Sequence, residues 1–210
     1  MEKTIRKYSK AYRKALTFRK CRDIGAKAAA YEARLREMYA SDGFKAHSVY
    51  PTTNATHVYA VIAMCLEMKA FGLTDTEIIE AVNHGFARRR NFFRQIIRAI
   101  DLLPNSFSIA KKWNLSDHDK RVKDGSITFD QFDIGKDRIE YRISKCVYVE
   151  MFETYGIRSL CKIFCMTDTT SYENLRRYVT FIRHSDLSDG EACHDEIIRS
   201  LQIKSQPPKG

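Results

Sequence analysis

Two hydrophobic periods run through the chain, and the change from one to the other divides it. As far as about residue 124, apolar residues recur at spacings of three and four. Ile5, Tyr8, Tyr12 and Leu16 form one stripe, and Ile24, Ala28, Tyr31, Leu35 and Met38 form a second. The spacing predicts one long helix over residues 2–41, kinked at Gly25 and stopped at Asp42-Gly43. Pro51-Thr52-Thr53-Asn54 offers cap residues for a helix from about Ala55 to Phe71, closed by Gly72. Thr74-Asp75-Thr76-Glu77 has the spacing of a capping box. It opens a helix carrying Ile78, Ile79 and Val82 that pauses at His84-Gly85. The pattern continues through Arg88-Arg89-Arg90 into Phe92, Phe93, Ile96, Ile97 and Ile100. Pro104 punctuates, and a Lys-rich helix is expected from Phe107 to Val122.

After Asp124-Gly125 the period falls to two. Ile127, Phe129 and Phe132 belong to one strand, Gly135 to a turn, and Arg138 to Ile143 alternates as a second strand. Helical spacing returns with Cys146, Val149, Met151, Phe152 and Tyr155, capped by Gly156, and again from about Ser159 to Asn174. Tyr178 to His184 and Cys193 to Leu201 make a second hairpin around Ser188-Asp189-Gly190. The expected architecture is α+β: a helical N-terminal layer, residues 1–124, packed on a ββααββ core, residues 125–202, with a four-stranded antiparallel sheet. The two parts are expected to form one compact domain, with a disordered tail over 203–210.

Charge changes the picture only locally. Residues 1–45 hold 13 Lys/Arg against 5 Asp/Glu, so most of the net +10 lies there. Such a segment reads as a solvated helix face; the competing reading is a docking surface for nucleic acid or another anionic partner. No zinc-finger, RNP-type or phosphate-loop motif accompanies it. The longest apolar run, Val58 to Leu66, falls short of the roughly 20 residues a membrane span needs. No signal-like segment opens the chain, so a cytoplasmic location is expected, with its six cysteines reduced. The aromatic pairs Phe92-Phe93 and Tyr8-Tyr12 read as core or as contacts of a homo-oligomer.

Four of those cysteines, Cys146, Cys161, Cys165 and Cys193, fall in the ββααββ part. On a helix, Cys161, Cys165 and Asp168 share one face. Cys146 opens the preceding helix, where N–H groups and the positive dipole end favour a thiolate. Cysteine is also an ordinary core residue, but a carboxylate on an apolar helix face needs a partner.

The stretch from Cys146 to Asp168, followed by Ser188-Asp189-Gly190-Glu191-Ala192-Cys193, resembles the L-2-amino-thiazoline-4-carboxylic acid hydrolase family. Cys146, Gly156, Leu160, Cys165, Asp168, Gly190 and Cys193 fill the places of its pattern. Where the family usually continues Cys-Asp-Phe, this chain has Cys193-His194-Asp195. The resemblance implies hydrolysis of a carbon–nitrogen or carbon–sulfur bond in a small cyclic amidine- or isothiourea-type acid; no cofactor is expected. It further implies catalytic roles for Cys146, Cys165, Asp168 and Cys193, with Cys165 or Cys193 as nucleophile and Asp168 holding the amidinium. His194, next to Cys193 on a strand, is expected on the opposite face. Arg142 and Arg183 are candidate grips for a substrate carboxylate. Two other readings stand beside this one. Cys146, Cys165 and Cys193 with Asp168 or Cys161 make a candidate zinc shell. The ββααββ pattern also resembles, more faintly, small-ligand-sensing domains of the vinyl-reductase type, which bind without turnover.

Overall fold

The computed structural model describes residues 1–172 and 174–200, with the side chains of 89 and 167–171 outside that description. The tail expected at 203–210 also lies outside it.

The first stripe-bearing segment is two helices, α1 (Glu2–Phe18) and α2 (Ile24–Ala40). The break falls at Lys20 and Asp23, both at positive φ, rather than at Gly25. A rod over 2–41 would run for about 60 Å and could not fold its two stripes onto each other. The turn does this: Tyr12 stacks on Tyr31 with ring centroids 4.6 Å apart, and both are fully buried. Asp42-Gly43 begins a short helix, α3 (Asp42–His47), where a stop was expected, because the Ser41 hydroxyl caps it by accepting from the Phe44 N–H at 3.1 Å.

Helices α4 (Ala55–Ala70) and α5 (Asp75–Gly85) follow the expected limits, with Gly72 at φ 89° and a complete Thr74–Glu77 capping box. The pause at Gly85 is a contact: a Cβ there would lie 2.7 Å from the Ala11 carbonyl oxygen, so α1 and α5 pack at backbone distance. Helices α6 (Ala87–Asp101) and α7 (Ser106–Asp124) complete the layer.

Strands β1 (Ile127–Ile134) and β2 (Arg138–Cys146), helix α8 (Val147–Glu153), a 3-10 turn over Arg158–Cys161, helix α9 (Lys162–Tyr172), and strands β3 (Val179–Ser185) and β4 (Cys193–Arg199) make the remainder. The sheet order is β1-β2-β4-β3, antiparallel throughout. This is the expected α+β arrangement. Gly156, at φ 69°, ends α8 as the sequence suggests, and fully buried Leu160 anchors the turn after it.

The register places Tyr141 opposite Asp195 and Asp195 opposite Arg183, with Ile143 opposite Cys193. Period two then sends Cys193, Asp195 and Ile197 inward, all buried, and leaves His194 and Glu196 on the other face. Asp124 ties the helical layer to this sheet. Its carboxylate accepts from the Thr52 N–H at 3.0 Å, the Thr52 hydroxyl at 2.6 Å and the Ser126 N–H at 3.0 Å. Burial alone would raise the Asp124 carboxyl, but these bonds hold it below its ordinary value.

Candidate active site

A cavity of about 300 Å³ lies between the inner face of the sheet and α6, α7, α8 and α9. Cys146, Cys161, Cys165 and Cys193 all line it. Each arrives from a different local cause. Cys146 ends β2 and caps α8. Cys161 and Cys165 stand one helical turn apart across the start of α9. Cys193 begins β4 behind a turn in which Gly190 is required: a Cβ there would sit 2.9 Å from the Asp186 carbonyl oxygen. The Leu187 N–H from that turn donates to the Cys193 sulfur at 3.3 Å. Arg158 donates to the carbonyls of Leu187 and Gly190, both at 2.9 Å, pinning the turn to the 3-10 segment.

Burial governs two of the thiols, and a hydrogen bond governs a third. Cys193 is pushed up to about 12 by desolvation, against the Leu187 N–H and Arg183. Cys146 is pushed up to about 11 by desolvation. The N–H groups of Val149 and Tyr148 pull the other way, but no cap hydrogen bond to the side chain forms. The thiolate expected from the helix start is therefore overruled by burial. Cys161 is driven well up, first by its hydrogen bond with Cys165 and then by burial. Cys165, half-buried, is the thiol that receives this contact. Asp168 shares α9 with Cys165, but its side chain lies outside the described residues.

Charged groups complete the wall. Arg183 makes a bidentate pair with Asp195, Nε to Oδ1 and Nη2 to Oδ2 both at 2.8 Å, and donates from Nη1 to the Cys165 carbonyl at 2.8 Å. Asp195 is 1% exposed. The pair thus fixes β3, β4 and α9 relative to one another. Arg183 is spent on Asp195, and Arg142 is exposed on the outer face, so neither candidate carboxylate grip from the sequence is placed for that task.

Helix α7 supplies the groups that sequence reading missed. Asn114, Asp117, His118 and Arg121 follow i, i+3, i+4, i+7 spacing and line the cavity, while Leu115 and Val122 face solvent at 45% and 51% exposure. The helix thus turns a polar stripe to the cavity, while its solvent side mixes Leu115 and Val122 with the exposed Lys112, Asp119, Lys120 and Lys123. That stripe is legible in the sequence as polar residues at helical spacing. His118 stacks on Phe132, with centroids 3.8 Å apart and an interplanar angle of 13°. Arg121 Nε donates to Asp117 Oδ2 at 2.5 Å, its guanidinium lies over the Tyr148 ring, and its buried Nη1 has no hydrogen-bond partner.

Other sequence candidates fall outside the cavity. His194 is on the outer face, with Nε2 2.9 Å from Glu140 Oε1. Of the aromatic pairs, Phe93 lines the cavity, Phe92 is 66% exposed, and Tyr8 and Tyr12 are buried in the helical layer. Among the described residues, one set of three ligand atoms lies mutually within 4.8 Å: His184, His194 and Glu196, again on the outer face. The four sulfurs provide no such set there, and the side chain of Asp168, the alternative fourth ligand of the zinc shell drawn from the sequence, lies outside the described residues.

An α+β protein with a thiol- and arginine-lined cavity under an antiparallel sheet is thereby defined. The model of the L-2-amino-thiazoline-4-carboxylic acid hydrolase family matches residues 53–195, more than half of the chain, and the chain belongs to that family. Comparison with curated proteins and with solved structures gave no match. Among the described residues, no helix is long and apolar enough to cross a membrane.

Proposed function

We propose that this cavity is the active site of a hydrolase that opens a small cyclic amidine- or isothiourea-type acid. The observation that carries the reading is the convergence of Cys146, Cys161, Cys165 and Cys193 on one cavity that also holds two arginines. Cys165 is the nucleophile. It is half-buried, and the Cys161 thiol is hydrogen-bonded to it. Its sulfur adds to the amidine carbon, and the ring carbon–sulfur bond breaks, leaving a covalent isothiourea on Cys165. The proton that leaves Cys165 ends on the ring sulfur. Water then displaces Cys165; its oxygen becomes the carbamoyl oxygen, one of its protons returns to Cys165, and the other stays on the former imine nitrogen. Asp168, on the same helix face by spacing, holds the amidinium. Cys146 and Cys193, protonated at neutral pH, are wall rather than nucleophile.

Supplying the purified protein with L-2-amino-thiazoline-4-carboxylate tests this. Release of one free thiol per carbamoyl product is expected. Saturable binding without product would overturn it and support a second reading, a ligand-sensing module without turnover. One observation favours that alternative: three of the four cavity thiols are held protonated.

A further inference from the structure

The outer face of the sheet carries a cluster that the cavity does not use. His184 on β3 and His194 and Glu196 on β4 each offer one ligand atom, and the three atoms lie within 4.8 Å of one another. The strand register accounts for this. His184 is the unpaired residue of a bulge in β3, between Arg183 opposite Asp195 and Ser185 opposite His194. A bulge re-aims the side chain it carries, and here the His184 ring lies beside that of His194.

The spacings suit a shared ion. The two imidazole rings have centroids 4.5 Å apart and an interplanar angle of 31°. Two imidazoles bound to one ion at about 2.1 Å in neighbouring positions hold their centroids roughly 4.5–5 Å apart. His184 Nε2 lies 3.3 Å from Glu196 Oε1, and neighbouring donors of such an ion are roughly 3.0–3.4 Å apart. Glu140 on β2 stands outside the set of three, with Oε1 at 2.9 Å from His194 Nε2. A ligating histidine ordinarily gives its second ring N–H to such a carboxylate, which fixes the ring and leaves the other nitrogen to the ion.

Two arginines share this face. Arg138 bonds Glu140 and Glu196 at 2.8 and 2.6 Å, and Arg142 lies opposite His194 in register. Both are exposed, so each guanidinium keeps its hydration when its long stem swings aside. Two imidazoles and a carboxylate suit Zn²⁺, Co²⁺ or Ni²⁺, whereas Mg²⁺ and Ca²⁺ take oxygen ligands.

We propose that His184, His194 and Glu196 bind one divalent transition-metal ion of the zinc class, with Glu140 orienting His194 and water completing the coordination. The ion ties the bulge of β3 to β4. The site is on the face opposite the thiols, shares no residue with the cavity lining and does not rest on the hydrolase reading.

Co²⁺ is the probe, because its visible absorption reports coordination and a thiolate ligand adds a strong sulfur-to-metal charge-transfer band. The full chain, without an affinity tag, stripped with a chelator and kept reduced, is titrated with Co²⁺ at neutral pH. One ion per chain is expected, with visible bands and no sulfur band, displaced by an equivalent of Zn²⁺ and not by an excess of Mg²⁺. His184→Ala and His194→Ala should each weaken binding at least about tenfold, and Glu140→Ala roughly tenfold. A sulfur band with the first equivalent would place the ion among the cavity thiols and overturn the proposal, without reliance on any variant. So would an absence of stoichiometric binding, displacement by Mg²⁺, or affinity that neither histidine variant changes.

Discussion

On the inner face of the sheet, Arg183 and Asp195 meet through two 2.8 Å bonds with the Asp195 side chain 2% exposed. On the outer face, Arg138 reaches Glu140 and Glu196 at 2.8 and 2.6 Å with its own side chain 52% exposed and theirs 20% and 14%. One strand, β4, supplies a carboxylate to each face two atoms' width of backbone apart in sequence: Asp195 inward and Glu196 outward. The groups are alike; the solvent is not. A pair whose cation stays half in water exchanges its protein partner for water at little cost, whereas a pair buried at both ends is stable only while both members remain. The inner pair therefore fixes geometry around the thiols, and the outer one is replaceable.

Timed alkylation at pH 8 with peptide mass spectrometry should find Cys146 and Cys193 slower than a free thiol of pKa about 8.5 by roughly two to three orders of magnitude. Their acidities are displaced by burial to about 11 and about 12. Labelling at the free-thiol rate would show that the inner face is open to water. The same shifts fix a sign for stability. The folded chain keeps these protons after the unfolded chain has lost them, so stability is full below about pH 8.5 and declines as pH rises toward 11 and 12.

Asp195→Ala, which strands Arg183, should cost about 3–5 kcal/mol in denaturant unfolding; a loss under 1 kcal/mol would make the inner pair no different from the outer. Gly190→Ala should cost about 1–3 kcal/mol, because its new methyl group meets the Asp186 carbonyl and disturbs the turn behind Cys193. Glu196→Ala should cost no more than about 1 kcal/mol, and a larger loss would show that the outer face is structural as well.

Much of this contrast was legible in the chain. The period change at Asp124-Gly125, the capping box at Thr74 and the two hairpins are local signals, and the structure has them where the pattern puts them. The period-two rule that sends His194 outward also sends Asp195 inward beside Cys193, yet Asp195 was passed over because a strand carboxylate reads as solvated by default. The cavity-facing stripe of α7, Asn114, Asp117, His118 and Arg121, was missed for a similar reason: on a Lys-bearing helix polar residues read as solvated. The fold of residues 2–41 back on themselves was not legible, since the reversal uses Lys20 and Asp23 at positive φ, residues that do not announce it. The helix-start argument for a Cys146 thiolate failed because burial depends on what packs around the sulfur, which no local motif encodes.

The central claim, that Cys165 attacks the substrate from a wall of protonated thiols, meets its most direct test in turnover of L-2-amino-thiazoline-4-carboxylate by single cysteine variants whose folding is verified by their unfolding transitions. Cys165→Ala and Cys165→Ser should each lose on the order of 10³-fold or more in kcat, while Cys146→Ala and Cys193→Ala retain rates within about tenfold of the unaltered protein. A Cys165→Ala protein that turns over at the unaltered rate would contradict the account.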